Sequence, residues 1–137
     1  MILDPQARDD IGQQWGAVRK FCAGSHRQWM VPGGGFINET PPESFCNLPF
    51  LLAYAILDQA LAELIDQGTI QCHKKRPLLG EKMAASVNAL PWKNYALVDS
   101  RKTARNDLAH EAKLLDKIDC FRFIDAIETE LKAWNVL

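Results

Sequence analysis

The sequence predicts an all-α protein, an up-and-down bundle of four to five helices with a long Gly/Pro-rich loop between the first two long helices. Apolar residues recur at intervals of three and four over several long stretches, while no stretch alternates apolar and polar residues for long enough to indicate a strand. Glycines and prolines concentrate at 25–48, between two of the periodic stretches. The length of 137 residues fits one globular domain over residues 1–137.

The first helix is predicted from about Pro5 to Ala23, and Gly24 is expected to end it because glycine closes helices at little steric cost. Its buried face is predicted from residues at helical spacing, Ala7, Ile11, Trp15, Val18 and Cys22. Residues 25–48 follow and predict a long loop, with or without a short hairpin. The run from Pro32 to Gly35 is glycine-rich like a phosphate cradle, but no Gly-Lys-Ser/Thr follows, which excludes a P-loop.

The second helix is predicted to be central, because its apolar arc is wide enough to be contacted on more than one side. Asn47 is expected to cap its start, Pro49 fits its first turn, and Gly68 lies just past its end. The apolar stripe comprises Phe50, Tyr54, Leu57, Leu61 and Leu64, and the residues that widen it are Leu51, Leu52, Ile56 and Ile65.

Three further helices are predicted after a basic connector, His73–Pro77. The first is short and ends at Pro91, the second runs from about Trp92 to His110, and the last runs from about Ile118 to Trp134. Either Asp116 or Asp119 is expected to cap the last helix. The inward residues are predicted to be Met83, Val87 and Leu90, then Tyr95, Val98 and Leu108, then Phe121, Ile124, Ile127, Leu131 and Trp134.

The net charge of −1 hides an asymmetry between the two halves of the chain. Residues 1–66 carry four basic and eight acidic side chains, whereas residues 67–137 carry twelve basic and nine acidic ones. The positive half suits a polyanion that is bound briefly, although a solvated surface with no partner fits the same composition.

The four cysteines are widely spaced and form no Cys-x-x-Cys pair, so we expect reduced thiols, mostly buried, and neither a metal nor another cofactor. The alternative is a metal site that pairs Cys22 with His26, one helical turn apart, and adds Cys72 and His73. The N-terminal residues lack a basic region followed by an apolar one, and no apolar run approaches the length needed to span a bilayer. We therefore expect a soluble cytoplasmic protein with no membrane partner.

The segment that carries chemistry is Arg105-Asn106-Asp107-Leu108-Ala109-His110. Arginine stays charged and binds a phosphate through two parallel hydrogen bonds, while histidine exchanges a proton near neutral pH. Asn106 and His110 are four residues apart and share a helix face, whereas Arg105 and His110 are about 140° apart on a regular helix. Three arrangements would unite them: a helix that starts or bends near Arg105, an arginine side chain that wraps round, or a second copy of the chain across a two-fold axis.

Arg105-Asn106-x-x-x-His110, placed before a final amphipathic helix in a small helical chain, resembles the motif of the HEPN superfamily. The resemblance implies a homodimer whose two motifs face each other and form a metal-independent endoribonuclease, in toxin–antitoxin, phage-defence or RNA-processing systems. It implies RNA as substrate and a cognate antitoxin or nucleotidyltransferase as a partner. In one branch that nucleotidyltransferase modifies a tyrosine two residues after the histidine, where this chain has Ala112.

Carried over to this chain, the resemblance makes Arg105, Asn106 and His110 the catalytic residues, and we expect Arg101 and Lys102 to bind flanking phosphates. His110 would act as base or acid on the ribose 2′-hydroxyl or the leaving 5′-oxygen, Arg105 would stabilise the phosphorane charge, and Asn106 would orient either the imidazole or the phosphate.

Three other interpretations remain open at this stage. Arg105 could form a surface ion pair with Asp99, Asp107 or Glu111, which would make the segment purely structural. The chain could be a non-catalytic HEPN-like module that binds RNA, a nucleotide or a protein partner. It could also be an interaction domain that dimerises through exposed tryptophans, such as Trp29, Trp92 or Trp134.

Overall fold

The computed structural model describes residues 1–24, 27–39 and 42–137, and it is mostly helical, as the apolar periodicity predicted. The described residues form six α-helices and one antiparallel β-hairpin, and a short 3-10 helix over Glu43–Cys46 leads into the second α-helix. The helices and strands, in chain order, are α1 (Pro5–Ala23), β1 (Arg27–Val31), β2 (Gly35–Glu39), α2 (Asn47–Asp66), α3 (Leu79–Ser86), α4 (Tyr95–Ser100), α5 (Lys102–Glu111) and α6 (Lys117–Ala133).

Helix α1 has the bounds that its sequence predicted. The Asp4 side chain caps it by accepting a hydrogen bond of 2.9 Å from the Gln6 amide. Gly24 follows its last turn at φ 73°, a left-handed value that favours glycine. Its buried residues are Ile11, Trp15 and Val18, so the predicted stripe faces the core.

The segment predicted as a loop, with or without a short hairpin, contains the hairpin of β1 and β2, although its sequence shows no alternation long enough to indicate a strand. Met30 pairs with Phe36 across the two strands. Gly33 and Gly34 make the turn at φ 113° and 94°, which explains the glycine run without any ligand. Each strand has only five residues, too few for a clear alternating pattern. Residues 25, 26, 40 and 41 of the predicted loop lie outside the described residues.

Helix α2 is central, as predicted, and α1, α3, α5 and α6 all contact it. Its ten buried residues include Phe50, Tyr54 and Leu61, each with no solvent exposure. By length and composition the stretch Glu43–Asp66 is apolar enough to cross a membrane, with a mean hydropathy of 1.6, so the prediction that no run approaches that length was wrong. Half of its most apolar 18-residue window is buried inside the protein.

The predicted helix from Trp92 to His110 is two helices, α4 and α5, which meet at Arg101 (φ −106°, ψ 3°). In a continuous helix the carbonyl of Val98 would accept the amide of Lys102. Here that carbonyl accepts the buried hydroxyl of Tyr54 at 2.7 Å. A tertiary contact from α2 therefore accompanies the break. Val98 and Leu108 are buried, as predicted, and Tyr95 packs partly against the core.

Helix α3 ends at Ser86, five residues before the predicted stop at Pro91. The Ser86 hydroxyl donates to the Met83 carbonyl at 2.7 Å and accepts the Trp92 indole at 2.9 Å, and these bonds accompany a turn. Met83 and Leu90 are buried as predicted, but Val87 is exposed because the helix has already ended.

Helix α6 begins one residue before and ends one residue before its predicted bounds. Asp116, one of the two predicted caps, accepts a hydrogen bond of 2.8 Å from the Asp119 amide. Phe121 is only partly buried, and the core position is taken by Phe123. Glu130 is fully buried on this helix, and its carboxylate accepts the backbone amides of Lys93 and Asn94 just before α4.

Candidate active site

The three motif residues lie on one regular helix, α5. The break in the predicted helix falls at Arg101, four residues before Arg105, so the helix neither starts nor bends at the motif arginine. Arg105 Nη1 instead donates a hydrogen bond of 2.9 Å to Asn106 Oδ1. The long arginine side chain therefore turns toward the face that Asn106 shares with His110, which is the second of the three arrangements considered above.

A cleft of about 550 Å³ brings these side chains together. Arg105, Asn106 and His110 form one wall with Lys102, and the first turn of α3 forms the other. We call it the motif cleft; its α3 wall consists of Leu78, Leu79, Gly80 and Glu81. The sequence motif alone had not indicated that the residues around Gly80 belong to the site, because they precede the motif by more than twenty positions.

Lys102 crosses the first turn of α3 at close range. A Cβ added to Gly80 would lie 2.7 Å from Lys102 Nζ and 3.2 Å from Lys102 Cδ, so glycine is what leaves room for the lysine side chain in this conformation. The ammonium group forms an ion pair of 2.8 Å with Asp99 and still lines the cleft. Lys102, which was expected to bind a flanking phosphate, therefore lies at the same cleft as the three motif residues.

Arg101 is directed elsewhere. Its guanidinium lies 5.3 Å from the centre of the Phe123 ring and 3.7 Å from the Asp119 carboxylate, both on α6, and the side chain does not line the motif cleft. Of the two residues expected to contact flanking phosphates, only Lys102 is therefore at the cleft. Arg101 instead joins the junction of α4 and α5 to the last helix.

The surface ion pairs considered for Arg105 are absent from the described part of the chain. Asp99 pairs with Lys102, and Glu111 pairs with Lys113 at 2.5 Å. No carboxylate of the described residues lies within 4.0 Å of the Arg105 guanidinium. Its charge is therefore free to bind an anion in the cleft.

The only carboxylate in the cleft wall, Glu81, is already neutralised. Hydrogen bonds from the Lys74 ammonium and from the Leu78 backbone amide hold the pKa of the Glu81 carboxyl below its ordinary value. The same pair raises the pKa of Lys74. With Glu81 paired in this way, the uncompensated charge of the cleft is positive.

His110 lies in the last turn of α5 with its side chain exposed to solvent and lining the cleft. Among the described residues none forms a hydrogen bond or ion pair with its imidazole. Both ring nitrogens are therefore accessible to a substrate, which a general acid or base requires.

Asn47 fixes the chain just after the motif helix, and sequence reasoning assigned it another role. It had been expected to cap α2, but it is the first α-helical residue there and its side chain is 3% exposed. Its amide oxygen accepts the Leu115 amide at 2.8 Å, and its amide nitrogen donates to the carbonyls of Leu115 (3.0 Å) and Ser44 (2.9 Å). We call these hydrogen bonds the Asn47 clamp. The clamp holds Leu115, five residues after His110, and it follows Ala112, which ends α5 in the left-handed conformation (φ 53°).

The alternative sites lose their support in the described residues. Trp134 is buried and Trp92 partly buried, with their ring centres 4.6 Å apart, so neither is an exposed docking aromatic; the side chain of Trp29 lies outside the description. All four cysteines are free thiols, as expected, but only Cys46 and Cys120 are buried, whereas Cys22 and Cys72 are partly exposed. Burial is the main cause that raises the pKa of both Cys22 and Cys120.

The metal site considered for Cys22 and Cys72 is not assembled in the part of the chain that the structure covers. There, no group of three or more His, Cys, Asp and Glu side chains is placed to hold an ion, and His26 of that alternative lies outside it.

A scan against protein-family models, a search of curated proteins and a search of solved structures each found no match to this chain. What the site can do therefore rests on its own chemistry. It offers an unpaired guanidinium, a lysine and an accessible imidazole in one open cleft, a set that can bind a phosphodiester and move a proton at it.

Proposed function

We propose that this chain is a metal-independent endoribonuclease of the HEPN type that cleaves RNA through the ribose 2′-hydroxyl. The observation that supports the proposal most is the convergence of Arg105, Asn106 and His110 in the motif cleft, with no carboxylate of the described residues within 4.0 Å of the Arg105 guanidinium. Every group needed to bind and polarise a phosphate is accessible there.

In this mechanism Arg105 binds the scissile phosphate and stabilises the negative charge that grows on it during attack. Asn106 acts as a positioning residue, because its amide oxygen accepts a hydrogen bond from the Arg105 guanidinium. Lys102 supplies a second cation at the cleft wall. His110 takes the 2′-hydroxyl proton or gives one to the leaving 5′-oxygen. The products are a 2′,3′-cyclic phosphate and a 5′-hydroxyl.

Transfer of both protons needs two acid–base groups, and His110 is the one imidazole among the residues that line the cleft. The proposal therefore includes a homodimer in which a second copy presents its own His110 and Arg105 to the same phosphodiester. It also includes an up-and-down packing of the long helices, a cytoplasmic location and a role in a toxin or defence system with a cognate antitoxin. A partner nucleotidyltransferase would act at a residue other than Ala112, which has no hydroxyl group to modify.

The test is incubation of the purified protein with mixed RNA in EDTA, with DNA of the same sequence as a control substrate. We expect RNA fragments with 2′,3′-cyclic phosphate ends and intact DNA. Arg105→Ala should lower the cleavage rate by about 100- to 1,000-fold because it removes the cation that stabilises the phosphorane.

The matched control is Arg122→Ala, which removes an exposed arginine on α6 that lies outside the cleft and should leave the rate unchanged. Intact RNA, or equal rates for the two variants, would contradict the proposal. RNA binding without cleavage by the wild-type protein would favour the non-catalytic module instead.

A further inference from the structure

A second cleft adjoins the motif cleft and is strongly basic. It has a volume of about 360 Å³ and is formed by the connector before α3 and the end of α2. We call it the basic cleft; its polar lining consists of Lys74, Lys75, Arg76, Lys82 and Asp66. The sequence shows this connector as a basic run, but the sequence alone indicates no function for it.

Leu78 joins the two clefts, since it lines both of them and its side chain is 75% exposed. Leu78 therefore places an apolar side chain between the cations of the motif cleft and those of the basic cleft. A planar apolar group crossing from one cleft to the other would cover it.

The charge of the two clefts contrasts with that of the whole chain. Together they are lined by six lysine and arginine side chains and by two carboxylates, Asp66 and Glu81, whereas the chain has a net charge of −1. The cations that already have a carboxylate partner are Lys74, Lys82 and Lys102. The other three, Lys75, Arg76 and Arg105, have no carboxylate within 4.0 Å among the described residues. Unpaired cations therefore lie at both clefts.

We infer that a single strand of RNA runs from the motif cleft past Leu78 into the basic cleft, where Lys75 and Arg76 bind its phosphates. This inference rests on the proposed function for the identity of the strand, and it adds a binding site away from the scissile bond. A single strand fits better than a duplex because its unstacked bases are free to lie against Leu78, whereas the bases of a duplex are stacked inside it.

The loss of RNA affinity expected when Lys75 and Arg76 are removed follows from counterion release. On single strands each phosphate contact changes the logarithm of affinity by about 0.7 per decade of salt, which corresponds to about 5-fold per contact at 0.1 M relative to 1 M salt. Removal of Lys75 and Arg76 together should therefore weaken binding about 25-fold at 0.1 M salt. The slope of log affinity against log salt should fall by about 1.4.

The experiment measures fluorescence anisotropy of a labelled, fully 2′-O-methylated RNA strand of about 12 nucleotides, a length on the order of known single-strand sites. The strand cannot be cleaved, so binding is observed apart from chemistry. Lys75→Ala/Arg76→Ala is compared with Lys20→Ala/Lys132→Ala, which removes two exposed charges that line neither cleft. We expect the first double variant to lose about 25-fold and the control less than about 2-fold, because distant charges are screened.

Equal affinities of the two double variants would overturn the inference, as would tighter binding to a blunt RNA duplex of the same length. RNA binding that is unchanged by Lys75→Ala/Arg76→Ala, together with lost binding of an acidic peptide, would overturn it in favour of a protein partner. If the wild-type protein binds the strand through Lys75 and Arg76 but cleaves no RNA, the proposed catalysis fails while this inference holds.

Discussion

Replacement of Asn47 by alanine tests how the fold holds the end of the motif helix. The side chain makes three hydrogen bonds to backbone groups, two of them to Leu115, and it is 3% exposed. A typical hydrogen bond contributes about 1 kcal/mol net, so Asn47→Ala should lower the free energy of unfolding by about 3 kcal/mol. For a chain of this length that corresponds to a fall in Tm of about 10 °C, taking an unfolding entropy of about 2.1 cal/mol/K per residue.

The assay combines thermal unfolding followed by circular dichroism with amide hydrogen exchange. The Leu115 amide should lose its protection in Asn47→Ala at a temperature where both proteins are folded, and the amides of α5 should exchange faster because the clamp after the helix is gone. Asn88→Ala is the matched control, since this asparagine is exposed in the turn after α3 and should change the stability by less than about 0.5 kcal/mol.

A fall in Tm no larger than that of the control would refute the reasoning. So would unchanged exchange of the Leu115 amide, because it would mean that the two hydrogen bonds to Asn47 do not hold this segment.

Three further substitutions give distinct outcomes. Tyr54→Phe should lower the unfolding free energy by about 1 to 2 kcal/mol at neutral pH, because it removes a buried hydrogen bond. Burial raises the pKa of Tyr54 above its unfolded value of 10.0, so the unfolding free energy of the wild-type protein should fall by about 1.4 kcal/mol per pH unit above about pH 10. The stability difference between wild type and Tyr54→Phe should therefore shrink in this range. A constant difference in denaturant titrations up to pH 11 would contradict this. Glu130→Ala should lower the unfolding free energy by about 4 kcal/mol, because the backbone amides of Lys93 and Asn94 lose the charged acceptor that the buried carboxylate provides, and a loss below about 1 kcal/mol in urea titrations would argue against it. Gly80→Ala should displace the Lys102 ammonium, because the added Cβ would occupy its position. The affinity for RNA should then fall about 5-fold in 0.1 M salt, while the unfolding free energy changes by less than about 1 kcal/mol. Unchanged affinity would show that Lys102 does not contact the strand.

The long helices could be predicted from the sequence because each carries a sustained apolar period. Helices α1, α2 and α6 have 17 to 20 residues, so about five turns repeat the same pattern and the bounds agree to within a residue or two. Local residues also end two of them where expected: the Asp116 side chain caps the start of α6, and Gly24 follows α1 with a left-handed backbone.

The break between α4 and α5 could not be predicted from the local sequence, because the contact that accompanies it comes from a distant residue. The hydroxyl of Tyr54 comes from 44 positions earlier in the chain and binds the Val98 carbonyl. The local sequence around Arg101 contains neither glycine nor proline, which are the usual signals for a break. The sequence left a short hairpin open at 25–48 without placing its strands, because strands of five residues carry too little pattern.

The candidate site was predicted in part. Arg105, Asn106, His110 and Lys102 lie within nine residues of one another, so a single helix brings them to one surface and the sequence is enough to group them. The opposite wall, from Leu78 to Glu81, has no sequence signal of its own, since it belongs to the site only because α3 and α5 both pack against α2. Arg101 was expected to bind a flanking phosphate, but its guanidinium lies over the Phe123 ring of α6 and away from the cleft.

The most direct test of the central claim is the single-turnover rate of RNA cleavage in EDTA for His110→Ala against His73→Ala. His73 is an exposed histidine outside the cleft, so its loss should leave the rate at saturating protein unchanged. Loss of His110 should reduce that rate by about 100- to 10,000-fold while the helical content stays the same, because the acid–base group is removed from the site. Cleavage by His110→Ala at the wild-type rate would contradict the assignment of this imidazole to the reaction and, with it, the function proposed for the motif cleft.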